Sequence, residues 1–172
     1  MDLRKQLLVE QSKANCERIV TYVGSSEVRF ADLVKLYLEG TYRVTQRAAW
    51  PISYCIEEHP GLIEPHLKKI LDFAGKPNAN VAVKRNTIRL LQFINIPEKY
   101  QGQVADLCFR FLADMKETIA VRVFSMTVLA NLAREAPAIS NEIKILIEDQ
   151  LPYATAGFRS RARKVLKQLS SS

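Results

Sequence analysis

An all-α chain built from stacked helix pairs is what this sequence predicts, and three observations predict it. Equivalent positions recur every 38 residues: Arg47, Arg85, Val123 and Arg161; Val44, Ala82, Ala120 and Phe158; Ile52, Leu90, Val128 and Leu166. A second set, Leu33, Leu71, Phe109 and Ile147, runs through the intervening segments at the same step. Within each step, apolar residues fall three and four apart, the spacing of one face of an α-helix. Gly, Pro and Asn cluster where successive helices must end, as in Gly75-Lys76-Pro77-Asn78-Ala79-Asn80. A helical repeat of this length is one helix pair that buries its apolar face against its neighbours.

The elements follow in order. A first helix is expected over Leu3–Val23, with Leu3, Leu7, Leu8, Ile19, Tyr22 and Val23 on its apolar face. Gly24-Ser25-Ser26 stops it, and a serine caps a second helix that carries Glu27 in its first turn. Gly40 ends that helix and suits the left-handed position that follows many helices. The next pairs are Tyr42–Glu58 with Leu62–Ala74, Val81–Ile94 with Tyr100–Met115, and Ile119–Arg134 with Ile139–Gln150. Thr155 caps a last helix, Phe158–Leu169, which begins a fifth repeat without a partner. The chain is expected to be one domain, residues 1–172, with repeats near 1–40, 41–80, 81–118 and 119–155 and a cap at 156–169.

Composition sets the broad class. At 172 residues with 48% hydrophobic side chains, the chain is long enough to bury a continuous core. No apolar run approaches the roughly 18 residues that span a membrane. Met1-Asp2-Leu3-Arg4-Lys5 leads into polar residues rather than a signal-peptide block. A soluble cytoplasmic protein is expected. The 3 cysteines, Cys16, Cys55 and Cys108, are odd in number and widely spaced, which points to small buried thiols rather than a disulfide framework. The net charge of +7 is uneven, because residues 156–172 hold five basic side chains and no acidic one.

Columns across the repeats explain the packing. Ile52, Leu90, Val128 and Leu166 form one apolar column, and Ile56, Ile94 and Leu132 another. Ala49, Thr87 and Ser125 are small, so adjacent helices can approach closely there. Asn86 interrupts an apolar column and is expected at the surface or bonded to backbone. Pro51 lies inside a helical stretch and is expected to kink or split it after Trp50.

The small-apolar-then-basic openings of the first helices, Val83-Lys84-Arg85, Val121-Arg122-Val123 and Phe158-Arg159-Ser160-Arg161, with Val44-Thr45-Gln46-Arg47 as a weaker copy, resemble HEAT-type repeats. The resemblance covers about residues 41–169 and implies a right-handed α-α superhelix of about four helix pairs and a capping helix. It also implies that the ladder arginines bond the inter-repeat turns, and that the second helices line a concave face. The architecture is similar to that of HEAT-like scaffolds, transport receptors, phycobilin lyases and DNA alkylation-repair glycosylases. Those glycosylases place a carboxylate beside aromatics that include tryptophan. Here Trp50 is the only Trp, Tyr54 stands one turn on, and Glu57 and Glu58 are the nearest downstream acids.

No enzyme signature emerges. His59 and His66 lack a third ligand at metal spacing, and there is no Gly-rich phosphate loop or nucleophile elbow. Neither a cofactor nor a small-molecule substrate is indicated. The expected function is a non-enzymatic interaction or scaffold module whose partner, another protein, lies along the second helices. Lys68, Lys69, Asp72, Asp106, Arg110, Lys144 and Glu148 are its candidate contacts. Signs alternate along the columns Phe30/Lys68/Asp106/Lys144 and Val34/Asp72/Arg110/Glu148, so no positive stripe forms for a phosphate backbone. The second reading is a nucleic-acid-binding protein related to the alkylation-repair HEAT-like proteins but without their catalytic residues, using the basic last helix, by Arg159, Arg161, Arg163, Lys164 and Lys167, with the Arg47/Arg85 edge.

Overall fold

The computed structural model describes residues 1–171. Among them the regular structure is entirely helical. The chain divides into two compact units, Met1–Asn95 and Ile96–Ser172.

The first unit holds α1 (Leu3–Val9), α2 (Lys13–Val23), α3 (Glu27–Glu39), α4 (Tyr42–Glu58), α5 (Leu67–Ala74) and α6 (Val81–Leu91). Helix α4 is its centre and packs against α1, α2, α3 and α6. The core closes over Leu7, Ile19, Phe30, Leu33, Tyr37, Ile52, Ile56 and Leu67, all essentially inaccessible to solvent. The Tyr37 hydroxyl is paired with Thr87 Oγ1 at 3.1 Å, so its polar end is satisfied inside the core.

The expected first helix is two helices, broken between Val9 and Lys13. The Ser12 hydroxyl accepts the Asn15 amide at 3.1 Å and caps α2. The buried Asn15 side chain donates to the carbonyls of Gln6 and Glu10, each at 2.9 Å, and accepts from the Gln6 side chain. It thereby satisfies carbonyls that a continuous helix would have bonded itself. Leu8, expected on the apolar face, is exposed.

Four further expectations in this unit change. Gly40 is not left-handed: its φ is −71° and ψ 167°. It is glycine for space, since a Cβ there would stand 2.3 Å from the Leu36 carbonyl oxygen and 2.7 Å from Val44 Cγ1. Among the described residues the one with positive φ is Gly24, at 50°. Pro51 does not split α4, which runs unbroken from Tyr42 to Glu58. Helix α5 starts at Leu67, because Pro60–Ile63 forms a 3₁₀ turn and Pro65 follows before it. Helix α6 ends at Leu91, three residues short of the expected Ile94.

The second unit holds α7 (Glu98–Ala113), α8 (Ile119–Leu132), α9 (Ser140–Gln150) and α10 (Ala156–Ser170). Helix α8 packs on α7, α9 and α10. Val104, Leu107, Cys108, Val121, Met126, Leu129, Ile143, Ile147 and Phe158 form the core. The small column expected from the sequence is buried in full at Ala49, Thr87 and Ser125. Asn86, one expected surface residue, is buried instead. Its amide donates to the Ala82 carbonyl at 2.9 Å, so the backbone bond is the part of the expectation that holds.

Candidate interaction surfaces

Helix α5 is strongly amphipathic. Leu67, Ile70, Leu71 and Ala74 are buried, which turns Lys68, Lys69 and Asp72 outward. Lys68 Nζ stands 2.8 Å from Asp72 Oδ2 across one helical turn. Helix α7 of the second unit repeats the device with the signs exchanged: Arg110 Nε donates to Asp106 Oδ2 at 3.1 Å, both side chains exposed. On α9, Glu148 is exposed and Lys144 half-buried. The expected columns fail at their first members, because Phe30 and Val34 lie in the core. Phe30 meets the His66 ring at 5.7 Å between centroids. Exposed pairs one turn apart add little to stability, so their consequence is the surface they make: charge of both signs, locally balanced.

Helix α10 begins where the Thr155 hydroxyl accepts the Phe158 amide at 3.4 Å. Phe158, Ala162, Val165 and Leu169 face inward. The five basic residues do not share one role. Arg161 turns back and donates to Thr127 Oγ1 at 2.7 Å. Arg159, Arg163, Lys164 and Lys167 are exposed.

The arginine ladder is structural at two of its three rungs. Arg47 donates to the Leu7 carbonyl at the end of α1 at 3.0 Å, and Arg161 holds Thr127. Arg85 is exposed. Two arginines off the ladder do more. Arg89 donates to Glu57 Oε2 at 2.5 Å and to Ser53 Oγ at 3.1 Å, and its guanidinium lies 4.5 Å from the Tyr54 ring centre and 5.2 Å from that of Phe93. Arg122, only 5% exposed, donates to the Gln150 side-chain oxygen and to Met115 Sδ, and stacks 4.9 Å from the Phe158 ring. Burial pulls its pKa below the usual arginine value, and Asp114 opposes that shift. Its Nε is buried without a partner. The four-residue spacing of Arg89 and Phe93 was a visible signal for the first of these clusters. Nothing local marks the second, because Gln150 lies 28 residues from Arg122.

The remaining candidate chemistry is structural in its setting. His66 is half-buried, and burial, with Lys69 nearby, lowers its pKa. His59 closes α4 through its backbone amide, bonded to the Cys55 carbonyl at 2.8 Å. Among the described residues no group of three or more His, Cys, Asp or Glu is placed to hold a metal ion. The three thiols are buried and free, and burial pushes each up to about 12. Trp50 meets Tyr54 edge-on at 6.1 Å, while the nearby carboxylate of Glu57 is engaged by Arg89. Among the described residues no helix is long and apolar enough to cross a membrane.

The family model of the HEAT repeat domain matches residues 3–169. No curated protein and no solved structure matches the chain.

Proposed function

This chain belongs to the HEAT repeat family, and from that premise we propose that it is a non-enzymatic interaction module whose partner is another protein. The partner contacts the outward faces of the second helices: Lys68, Lys69 and Asp72 on α5 of the first unit, and Asp106, Arg110, Lys144 and Glu148 on α7 and α9 of the second. The observation that carries this reading is the alternation of charge within single helices, Lys68 with Asp72 and Arg110 with Asp106. A phosphate backbone requires one sign along its path. A folded protein surface presents both, and pairing with it fixes register and suppresses wrong partners. Family membership supports the same class of function, since stacked helix pairs offer long surfaces rather than enclosed pockets.

Affinity capture with the full chain tests the reading. The wild-type protein is compared with a variant carrying Lys69→Glu, Arg110→Glu and Lys144→Glu, after circular dichroism shows that both are folded. The expected result is a protein retained by the wild type and lost by the variant. Retention of the same proteins by both, or recovery of nucleic acid alone by the wild type, contradicts it.

A further inference from the structure

We propose that the outer edge of α10 holds the phosphate backbone of double-stranded DNA without regard to base sequence. Arg159, Arg163 and Lys167 are spaced four residues apart on one stripe. At about 1.5 Å of rise per residue, their positions advance about 6 Å along the helix axis at each step, on a row inclined to it. Lys164 stands beside the stripe, and all four are exposed. The opposite face, with Phe158, Ala162, Val165 and Leu169, is buried in the second unit, so the charged edge is presented by a helix fixed in place.

The four cations are available in a way that Arg161 is not. Arg161 is half-buried and bonded to Thr127 at 2.7 Å. Arg159 and Arg163 reach only as far as backbone carbonyls at 3.5 Å, too long to hold them. No acidic residue occurs from 156 to 172, so none on the helix itself balances these cations. This differs in kind from α5 and α7, where each exposed cation next to an acid one turn away is balanced on its own helix.

What lies between the cations selects the partner. Between the cations Ser160 is exposed and Leu166 half-buried, and Ala156 and Gly157 before them are exposed and small, so the stripe itself carries no exposed large apolar side chain. A protein interface is centred on buried aromatic or aliphatic anchors and is depleted in lysine. Insertion into a membrane surface needs apolar side chains on the exposed face. Single strands are held by bases stacked on successive aromatic rings, and only Tyr153 stands exposed near this edge among the described residues. A duplex backbone needs none of these. Release of counterions by four cations is sufficient for weak, sequence-independent binding. An α-helix about 10–12 Å across also fits the DNA major groove, about 12 Å wide, and not the deep, narrow groove of duplex RNA.

The test is titration of a fluorescein-labelled mixed-sequence DNA duplex by the full-length protein, read by anisotropy. Four neutralised phosphates give a log–log salt slope of about −3.6, a loss of about 100-fold in affinity between about 50 and 200 mM salt. The quadruple variant Arg159→Gln, Arg163→Gln, Lys164→Gln, Lys167→Gln is expected to abolish binding, while Lys5→Gln with Lys13→Gln, exposed cations outside both proposed surfaces, leaves it unchanged. If the quadruple variant is unfolded by circular dichroism, Arg159→Gln with Lys167→Gln serves instead, with the slope reduced by about 1.8. No binding at about 50 mM salt overturns the proposal, as does binding that the α10 variants leave intact. Equal or tighter binding to duplex RNA, single-stranded DNA, polyglutamate or phosphatidylserine vesicles overturns the assignment to duplex DNA. None of the α10 substitutions lies among the partner contacts proposed on α5, α7 and α9, so failure here and failure of the protein-partner reading are told apart.

Discussion

Arg122 and Gln150 form the polar centre of the second unit. Both are more than nine-tenths buried. Gln150 accepts from Arg122 and donates to the Leu112 carbonyl at 2.9 Å, so one amide side chain serves a guanidinium and the last turn of α7 together. Replacing Gln150 with Ala leaves a buried charge and a buried carbonyl short of a partner. The expected cost is about 2–4 kcal/mol by urea denaturation. Lys68→Ala, on an exposed pair, is the comparison and should stay within about 0.5 kcal/mol. At this scale the sequence is a poor guide. The Arg47/Arg85/Arg161 ladder is visible as a column, and two of its rungs hold neighbouring repeats as a HEAT-type stack implies. Arg122 escapes notice because its partner Gln150 is distant in the chain, and for Arg89 only the spacing to Phe93 is a local signal, since Glu57 and Ser53 are distant too. Periodicity reports which face a residue occupies but not which polar groups meet there.

Elements are more legible, and the failures have local causes. Helix α4 occupies Tyr42–Glu58, the span its apolar spacing predicts, Ser26 is the serine that caps α3, and Thr155 caps α10 as expected. The break between α1 and α2 is hidden because apolar residues recur on both sides of it. The Asn15 side chain makes the break by capturing two carbonyls, an event without a hydrophobic signature. Gly40 does end α3, through crowding by the Leu36 carbonyl and Val44 rather than backbone handedness. Gly40→Ala should therefore destabilise the protein by about 1–3 kcal/mol, as overpacking does. Gly61→Ala, where a Cβ meets nothing within 4 Å, should leave the melting temperature nearly unchanged. Parallel thermal melts of the two variants distinguish crowding from a general effect of replacing glycine.

At the scale of the whole molecule, the repeat supplies the class and charge distribution supplies the division of labour. The 38-residue step and the helix pairs agree with membership of the HEAT repeat family across residues 3–169. A net charge of +7 describes no single surface, because the second helices carry balanced pairs and α10 carries cations alone. The candidate contacts could be read from the sequence as columns. Their pairing, the burial of Phe30 and Val34, and the separate role of Arg161 required side-chain positions. The most direct test of the central claim is hydrogen exchange of the full chain with and without the protein partner that wild-type capture recovers. Slowed exchange in Leu67–Ala74, Glu98–Ala113 and Ser140–Gln150, with Tyr42–Glu58 and Ile119–Leu132 unchanged, is the predicted result. Protection confined to Tyr42–Glu58, Ile119–Leu132 or Ala156–Ser170 would contradict it.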